Sequence, residues 1–222
     1  MSDEEMEMKT NTYLISGADR GIGRGFVAAL LQRPSTTVIA GAEGSALILV
    51  KIDKDHVIAN AGVASPNGRT IDIVPETALQ LFAVNAVGPV TLVSAAAPLL
   101  GASKRGGGPV FVSVSSSPAS IGAQASIYEA FDANVAPYGA SKSALNWFVQ
   151  RPHLEEPWLT SFACHPGVVR TDMVGSMDDV LESIGAISVE ESVGSMMALL
   201  DAASRKITGG SFKSHDGSTL PW

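Results

Sequence analysis

The chain has 222 residues and a mass of 22.9 kDa, 45% of them apolar and 17% charged, with a formal net charge of −7 and a pI of about 5.0. This composition excludes a mainly disordered chain, and its acidic balance argues against a nucleic-acid binder or a polybasic membrane anchor. The single cysteine, Cys164, excludes an intrachain disulfide and suits a reducing, cytoplasmic setting.

Residues 1–10 read as a flexible acidic lead, without the basic start and apolar core of a secretory signal. Residues 11–222 read as one domain, with no repeat, linker or low-complexity tract. Short apolar runs bounded by Gly, Asn and Asp predict strands over 12–16 (TYLIS), 36–40 (TTVIA), 46–51 (ALILVK), 56–59 (HVIA), 109–114 (PVFVSV) and 159–164 (LTSFAC), with a last edge strand over 209–214. Helical patterns fall near 23–32, 76–84, 90–100, 138–149 and 188–203. The last opens on a capping box, Ser188 with Glu191. The apolar stretch 84–102 barely reaches membrane-spanning length, and Gly88, Pro89, Thr91, Ser94 and Pro98 interrupt it, so a buried helix is expected. Alternation of strand and helix predicts a doubly wound, mostly parallel α/β sheet with helices on both faces.

The first strand runs into Gly17-Ala18-Asp19-Arg20-Gly21-Ile22-Gly23, and a helix follows. Glycines there permit a tight turn and close approach of a pyrophosphate, which the N–H groups and dipole of the helix start would bind. Arg20 is either a solvated surface arginine or a clamp on the 2′-phosphate of NADP. The second strand ends at Ala40-Gly41, with no acid to hold a free 2′-hydroxyl, which also favours NADP. Tyr138 and Lys142 stand four apart near a helix start, on one face, where a cation would favour the phenolate.

Taken together, these features resemble the short-chain dehydrogenase/reductase family. The resemblance covers the chain from about Thr12 onward. It includes the glycine loop, the Asn60-Ala61-Gly62 turn, Asn85 in VNAVGP, the serine run after the fifth strand, Tyr-x-x-x-Lys, and Pro166-Gly167-Val168-Val169-Arg170-Thr171. It implies a Rossmann-type fold and an NADP(H)-dependent enzyme. Tyr138 would be the general acid in ketone reduction, Lys142 would hold the nicotinamide ribose and depress the tyrosine pKa, and Asn85 would hold a relay water. Ser116 would hydrogen-bond the substrate oxygen. Ser113, Ser115 and Ser117 compete for that role, with Ser115 second. Gly17, Asp19, Arg20, Gly21, Ile22, Gly23, Asn60, Ala61, Gly62, Tyr138, Lys142, Pro166, Gly167, Val169 and Thr171 would contact the cofactor, and Asp53 would lie by the adenine.

Residues 151–173 and the ending DGSTLPW are similar to fungal ketoreductases related to norsolorinic acid ketoreductase, which act on ketones of aromatic polyketides. The resemblance implies a small-molecule ketone or alcohol substrate, a homodimer or homotetramer, and no nucleic-acid or membrane partner. The spacing from Ser116 to Tyr138 is long, so residues 124–136 would border the substrate pocket, and 173–187 would form a lid. The alternative is a non-catalytic dinucleotide-binding or regulatory protein on the same fold. An extended sugar-nucleotide epimerase has little room after Lys142. His56, His153, His165 and His215 lack metal-ligand spacing, and His56 and His165 read as packing residues at strand positions.

The chain is short for this topology. A parallel crossover needs a dozen or more residues, but only 41–45 and 52–55 separate the second, third and fourth predicted strands. Either the sequence joins segments across missing residues, or it carries real internal deletions, or the pairing there is antiparallel. The first is expected, since deletion would strip cover from one sheet face.

Overall fold

The computed structural model describes residues 10–42, 55–64, 68–131, 135–173 and 185–222. Among these, six strands form one sheet: β1 (Asn11–Ser16), β2 (Thr36–Gly41), β3 (His56–Ala59), β4 (Val110–Val114), β5 (Thr160–His165) and β6 (Phe212–Ser214). Their order is β2-β1-β3-β4-β5-β6, and every pairing between them is parallel. The strand expected over 46–51 lies outside the described residues. The strand expected fourth is therefore β3, and it pairs with β1 through Tyr13 opposite His56.

The antiparallel alternative does not hold for β2 and β3, since both run parallel to β1. The fourteen residues 42–55 join them, enough for one crossover and too few for two with a strand between.

The central strands are buried on both faces, which is why they read as unbroken apolar runs. Phe26, Ile58, Val112, Phe162 and Met196 pack on one side of the sheet, and Leu14, Val57, Phe111, Leu145 and Phe212 on the other. The helices α1 (Gly21–Leu30) and α6 (Val189–Asp201) cover the first side. The helices α3 (Gly88–Gly101) and α5 (Ala136–Glu155) cover the second. One half of the expected capping box is present: the Ser188 hydroxyl accepts from Glu191 N–H at 3.0 Å.

The two helices expected over 76–84 and 90–100 are one helical run. α2 (Pro75–Phe82) passes through a π-helical turn, Ala83–Val87, into α3 without a break. Pro89 supplies the cause. It has no N–H for the Asn85 carbonyl four residues back, and its ring crowds that carbonyl, so the turn before it widens. The run Pro75–Gly101 is long and apolar enough to cross a membrane, yet it buries Leu81, Asn85, Ala86, Pro89, Ala96 and Leu100, with α2 and the π-helical turn against α5 and α3 against β3 and β4. It is not the buried helix expected. Only one stripe faces the core, and Leu79 (70% exposed), Val84 and Val87 point outward.

Candidate active site

The carboxyl ends of β1, β3, β4 and β5 converge where the strand order reverses between β1 and β3. Ligand crevices of open α/β sheets form at such a point. After β1, Gly17 turns the chain with φ +64°. A Cβ there would lie 2.8 Å from Ala61 Cα, so the loop packs directly on the Asn60–Gly62 turn. The Asn60 amide closes the contact by donating to the carbonyls of Ser16 (3.1 Å) and Gly17 (2.9 Å). The Ser16 hydroxyl accepts from the N–H groups of Asn60 and Ala61, each at 3.1 Å. Across the loop, a Cβ on Gly21 would approach Thr171 Cγ2 at 3.5 Å. The glycine loop, the Asn60 turn and the 166–171 loop are thus brought together.

The start of α1 fits an anion. Its N-cap residue, Arg20, is extended and gives no side-chain cap, and its first turn holds no acid. The N–H groups there point into the crevice end of the sheet. Asp19 and Arg20 are exposed at the loop tip, and Ile22 is half-buried beneath it. Asp53 lies outside the described residues, as do most of the residues expected to form a lid. The loop after β5 is held from behind: the buried Ser192 hydroxyl donates to the Pro166 carbonyl at 2.6 Å. Gly167 has φ +85° and packs against Ile187 and His215, and Val169 pairs with Ile187 as a single bridge.

On the other wall, α5 carries Tyr138 and Lys142 one turn apart. Lys142 is 4% exposed, and its Nζ donates to the Val114 carbonyl at 2.8 Å. Burial alone lowers its pKa to about 8. The same Nζ lies 6.0 Å from the Tyr138 ring centroid. It also stands 3.3 Å from where a Cβ on Gly62 would sit, with Asn85 Oδ1 3.2 Å from that point. Any side chain at 62 would press on both groups. Asn85 sits in the π-helical turn and is fully buried. Its amide pairs with the Val63 backbone in both directions at 2.9 Å and donates to the Ser141 hydroxyl at 3.0 Å.

The serine run separates by side-chain direction. Ser116 faces Tyr138, and its hydroxyl pulls the phenol pKa down. Ser115 turns into the core and donates to Asn146 Oδ1 at 2.7 Å. Ser113 is buried within β4, and Ser117 opens a short 3-10 turn, Ser117–Ala119. Successive residues of a strand face opposite ways, so two adjacent serines cannot share one site.

The electrostatics at Tyr138 differ from expectation. The residue is partly accessible, but its phenol oxygen lies in dense surroundings, and burial pushes the phenol above its usual value. Only the neighbouring Ser116 hydroxyl works the other way. The Lys142 ammonium is turned toward Val114 rather than the phenol, so the expected depression by Lys142 is not found in the protein alone.

Several supporting residues had no sequence signal. The Ser141 and Ser143 hydroxyls bond back to the Tyr138 carbonyl (2.7 Å) and the Gly139 carbonyl (3.0 Å), and Ser143 also reaches the Ala119 carbonyl at 2.8 Å. Gln124, at the start of α4 (Gln124–Phe131), ties that helix to the carbonyls of Pro118 and Ser120.

Comparison with known proteins adds relatives along nearly the whole chain. A family model described as short chain dehydrogenase matches residues 49–181. The norsolorinic acid ketoreductase of Dothistroma septosporum is 33% identical over 257 residues, covering 97% of this chain and 94% of that protein. The enzyme of the same name from Aspergillus parasiticus is 32% identical, covering 95% and 90%. A short chain dehydrogenase of Penicillium aethiopicum is 34% identical, covering 95% and 99%. The alignments span 257, 250 and 255 residues, more than the 222 of this chain, so the relatives carry residues that it lacks. Among solved structures, NADPH-bound carbonyl reductase from chicken fatty liver superposes with a TM-score of 0.83 at 23% identity, covering 97% of this chain and 96% of that one. The carbonyl reductase Sniffer of D. melanogaster gives 0.78 at 23%, covering 96% and 100%.

Proposed function

Because the chain belongs to the short-chain dehydrogenase/reductase family, we propose that this oxidoreductase is an NADPH-dependent ketoreductase converting a ketone, of an aromatic polyketide, to a secondary alcohol. The observation that carries this reading is the grouping of Ser116 and Tyr138 beside the buried Lys142, at the crevice end of the sheet. NADPH supplies the hydride when bound. Ser116 donates to the carbonyl oxygen and orients it. Tyr138 holds a proton on its phenol oxygen and delivers it to that same oxygen. The raised phenol pKa keeps Tyr138 in its acid form at neutral pH, the form that reduction requires.

Lys142, fixed by Val114, presents its remaining N–H donors toward the crevice to hold ribose hydroxyls, and Asn85 fixes the opposite side of Gly62 and holds a relay water. Gly17, Asp19, Gly21, Ile22, Gly23, Asn60, Ala61, Gly62, Pro166, Gly167, Val169 and Thr171 line the cofactor, with Arg20 on the 2′-phosphate. The polyketide substrate is supported by the names of two relatives, and NADPH by its presence in the similar chicken carbonyl reductase. Trp147 (63% exposed), Phe148 and Leu154 on α5, with the outward Leu79, Val84 and Val87, support pairing of copies into a homodimer or homotetramer.

The test is NADPH oxidation across a panel of aromatic ketones. Turnover that Tyr138→Phe abolishes is expected. No turnover on any ketone, with NADPH still bound, would replace this reading with the non-catalytic one. Arg20→Ala should cut the preference for NADP over NAD about tenfold, equivalent to ~1.4 kcal/mol.

A further inference from the structure

Ser116 works only if its hydroxyl meets the Tyr138 phenol, so the position of the short turn that follows it matters. The β4–β5 ladder ends at Ser115, whose N–H donates to the Cys164 carbonyl at 2.8 Å. The next bond comes from a side chain. The Ser117 N–H donates to Nδ1 of His165 at 3.2 Å, and the ring extends the ladder past its last backbone pair. The turn then closes on itself, Ala119 N–H to the Ser116 carbonyl at 2.9 Å.

For this contact Nδ1 must be free of a proton. Burial and the neighbouring His215 lower the His165 pKa to about 4, against the opposing pull of Asp216, so the ring is neutral near pH 7 and its proton belongs on Nε2. The backbone of His165 is fixed as well: its carbonyl accepts from His215 N–H at 2.8 Å. One residue later the chain enters the Pro166 loop, which Ser192 anchors.

We propose that His165 is a positioning residue: its Nδ1 sets the Ser116 turn against Tyr138 and ties the substrate-side serine to the 166–171 loop. This rests on the ketoreductase reading. The test compares two neutral substitutions with the wild type. His165→Asn puts an amide oxygen near the place of Nδ1, and His165→Leu fills the space without an acceptor. The Leu variant should lose ten- to a hundredfold in kcat with its NADPH Kd within twofold. Its Tyr138 phenol, read as 295 nm absorbance against Tyr138→Phe, should titrate at higher pH. The Asn variant should recover to within threefold.

A Leu variant within twofold of wild type in kcat, with an unmoved phenol titration, overturns the proposal. So does an Asn variant that falls as far as Leu. A measurement on the unaltered protein stands independently of whether the variants fold. Long-range nitrogen–proton NMR should place the His165 proton on Nε2, and finding it on Nδ1 refutes the contact. If the wild type reduces no ketone, the ketoreductase reading fails, while the tautomer and the phenol titration still decide the role of His165.

Discussion

A methyl group added at Gly23 should damage the protein although the backbone there would accept it. Gly23 lies in the first turn of α1, and alanine in a helix is favoured over glycine by about 1 kcal/mol. Against that gain, the new Cβ would lie 2.0 Å from the Gly17 carbonyl oxygen and 2.5 Å from Asn60 Nδ2. Neither can retreat cheaply. Gly17 is already pressed on Ala61, and Asn60 Nδ2 is committed to the Ser16 and Gly17 carbonyls. Overpacking costs ~1–3 kcal/mol, and each displaced hydrogen bond adds ~1 kcal/mol. The net loss is therefore about 2–4 kcal/mol, which lowers Tm by roughly 4–16 °C in a chain of this size. Gly194→Ala is the matched control. It sits within α6 with nothing near its missing Cβ, and it should gain ~0.5–1 kcal/mol. Urea titration and calorimetry of both variants read these changes directly. A Gly23→Ala protein as stable as wild type, or a Gly194→Ala protein that falls with it, would refute the reasoning.

Further outcomes follow from the same geometry. Between pH 8 and 10.5, Lys142 is neutral in the fold but still charged in the unfolded chain, so the unfolded state binds more protons and stability rises with pH by up to roughly 3 kcal/mol. Lys142→Met should lack that rise in denaturant titrations across the window, since the other titrating groups are common to both proteins. Arg205 donates to the carbonyls of His153, Glu156 and Leu159 at the end of α5, so Arg205→Ala should lower unfolding free energy by about 2 kcal/mol in urea. Ser116→Ala should reduce kcat by a hundredfold or more. Ser115→Ala instead leaves Asn146 unpaired and should show as a loss of ~1–2 kcal/mol in stability, measured beside kcat on the same preparation.

The sheet was legible because its strands are buried on both faces and therefore read as apolar runs, as in Val110–Val114. The glycine loop and the Ser188 cap were legible because each needs particular residue types at fixed spacing. The choice between Ser115 and Ser116 was not fixed by local sequence. Strand alternation says only that they diverge, and the face each takes depends on Asn146 and Tyr138, thirty-one and twenty-two residues away. The direction of the Lys142 ammonium was not legible, because spacing places two side chains on one face without saying where either points. His165 read as a packing residue because its acceptor role depends on a backbone N–H forty-eight residues distant. The join between α2 and α3 was hidden by Gly88-Pro89, which reads as a break yet follows a widened turn that accommodates it.

That widened turn also sets the phase of everything after it. A regular helix advances about 100° per residue, so one residue more or fewer swings all later side chains by that angle. A π-helical turn takes up one residue more than an ordinary one, so Ala83–Val87 holds that residue without swinging the inward stripe of Ala96 and Leu100 beyond it. Removing a single residue from Ala83–Val87 would let the turn close to ordinary helical geometry with that stripe still facing inward, at the cost of the placement of Asn85. The turn thus works as slack between site and core, and a one-residue deletion there should disturb the core less than one within Gly88–Gly101.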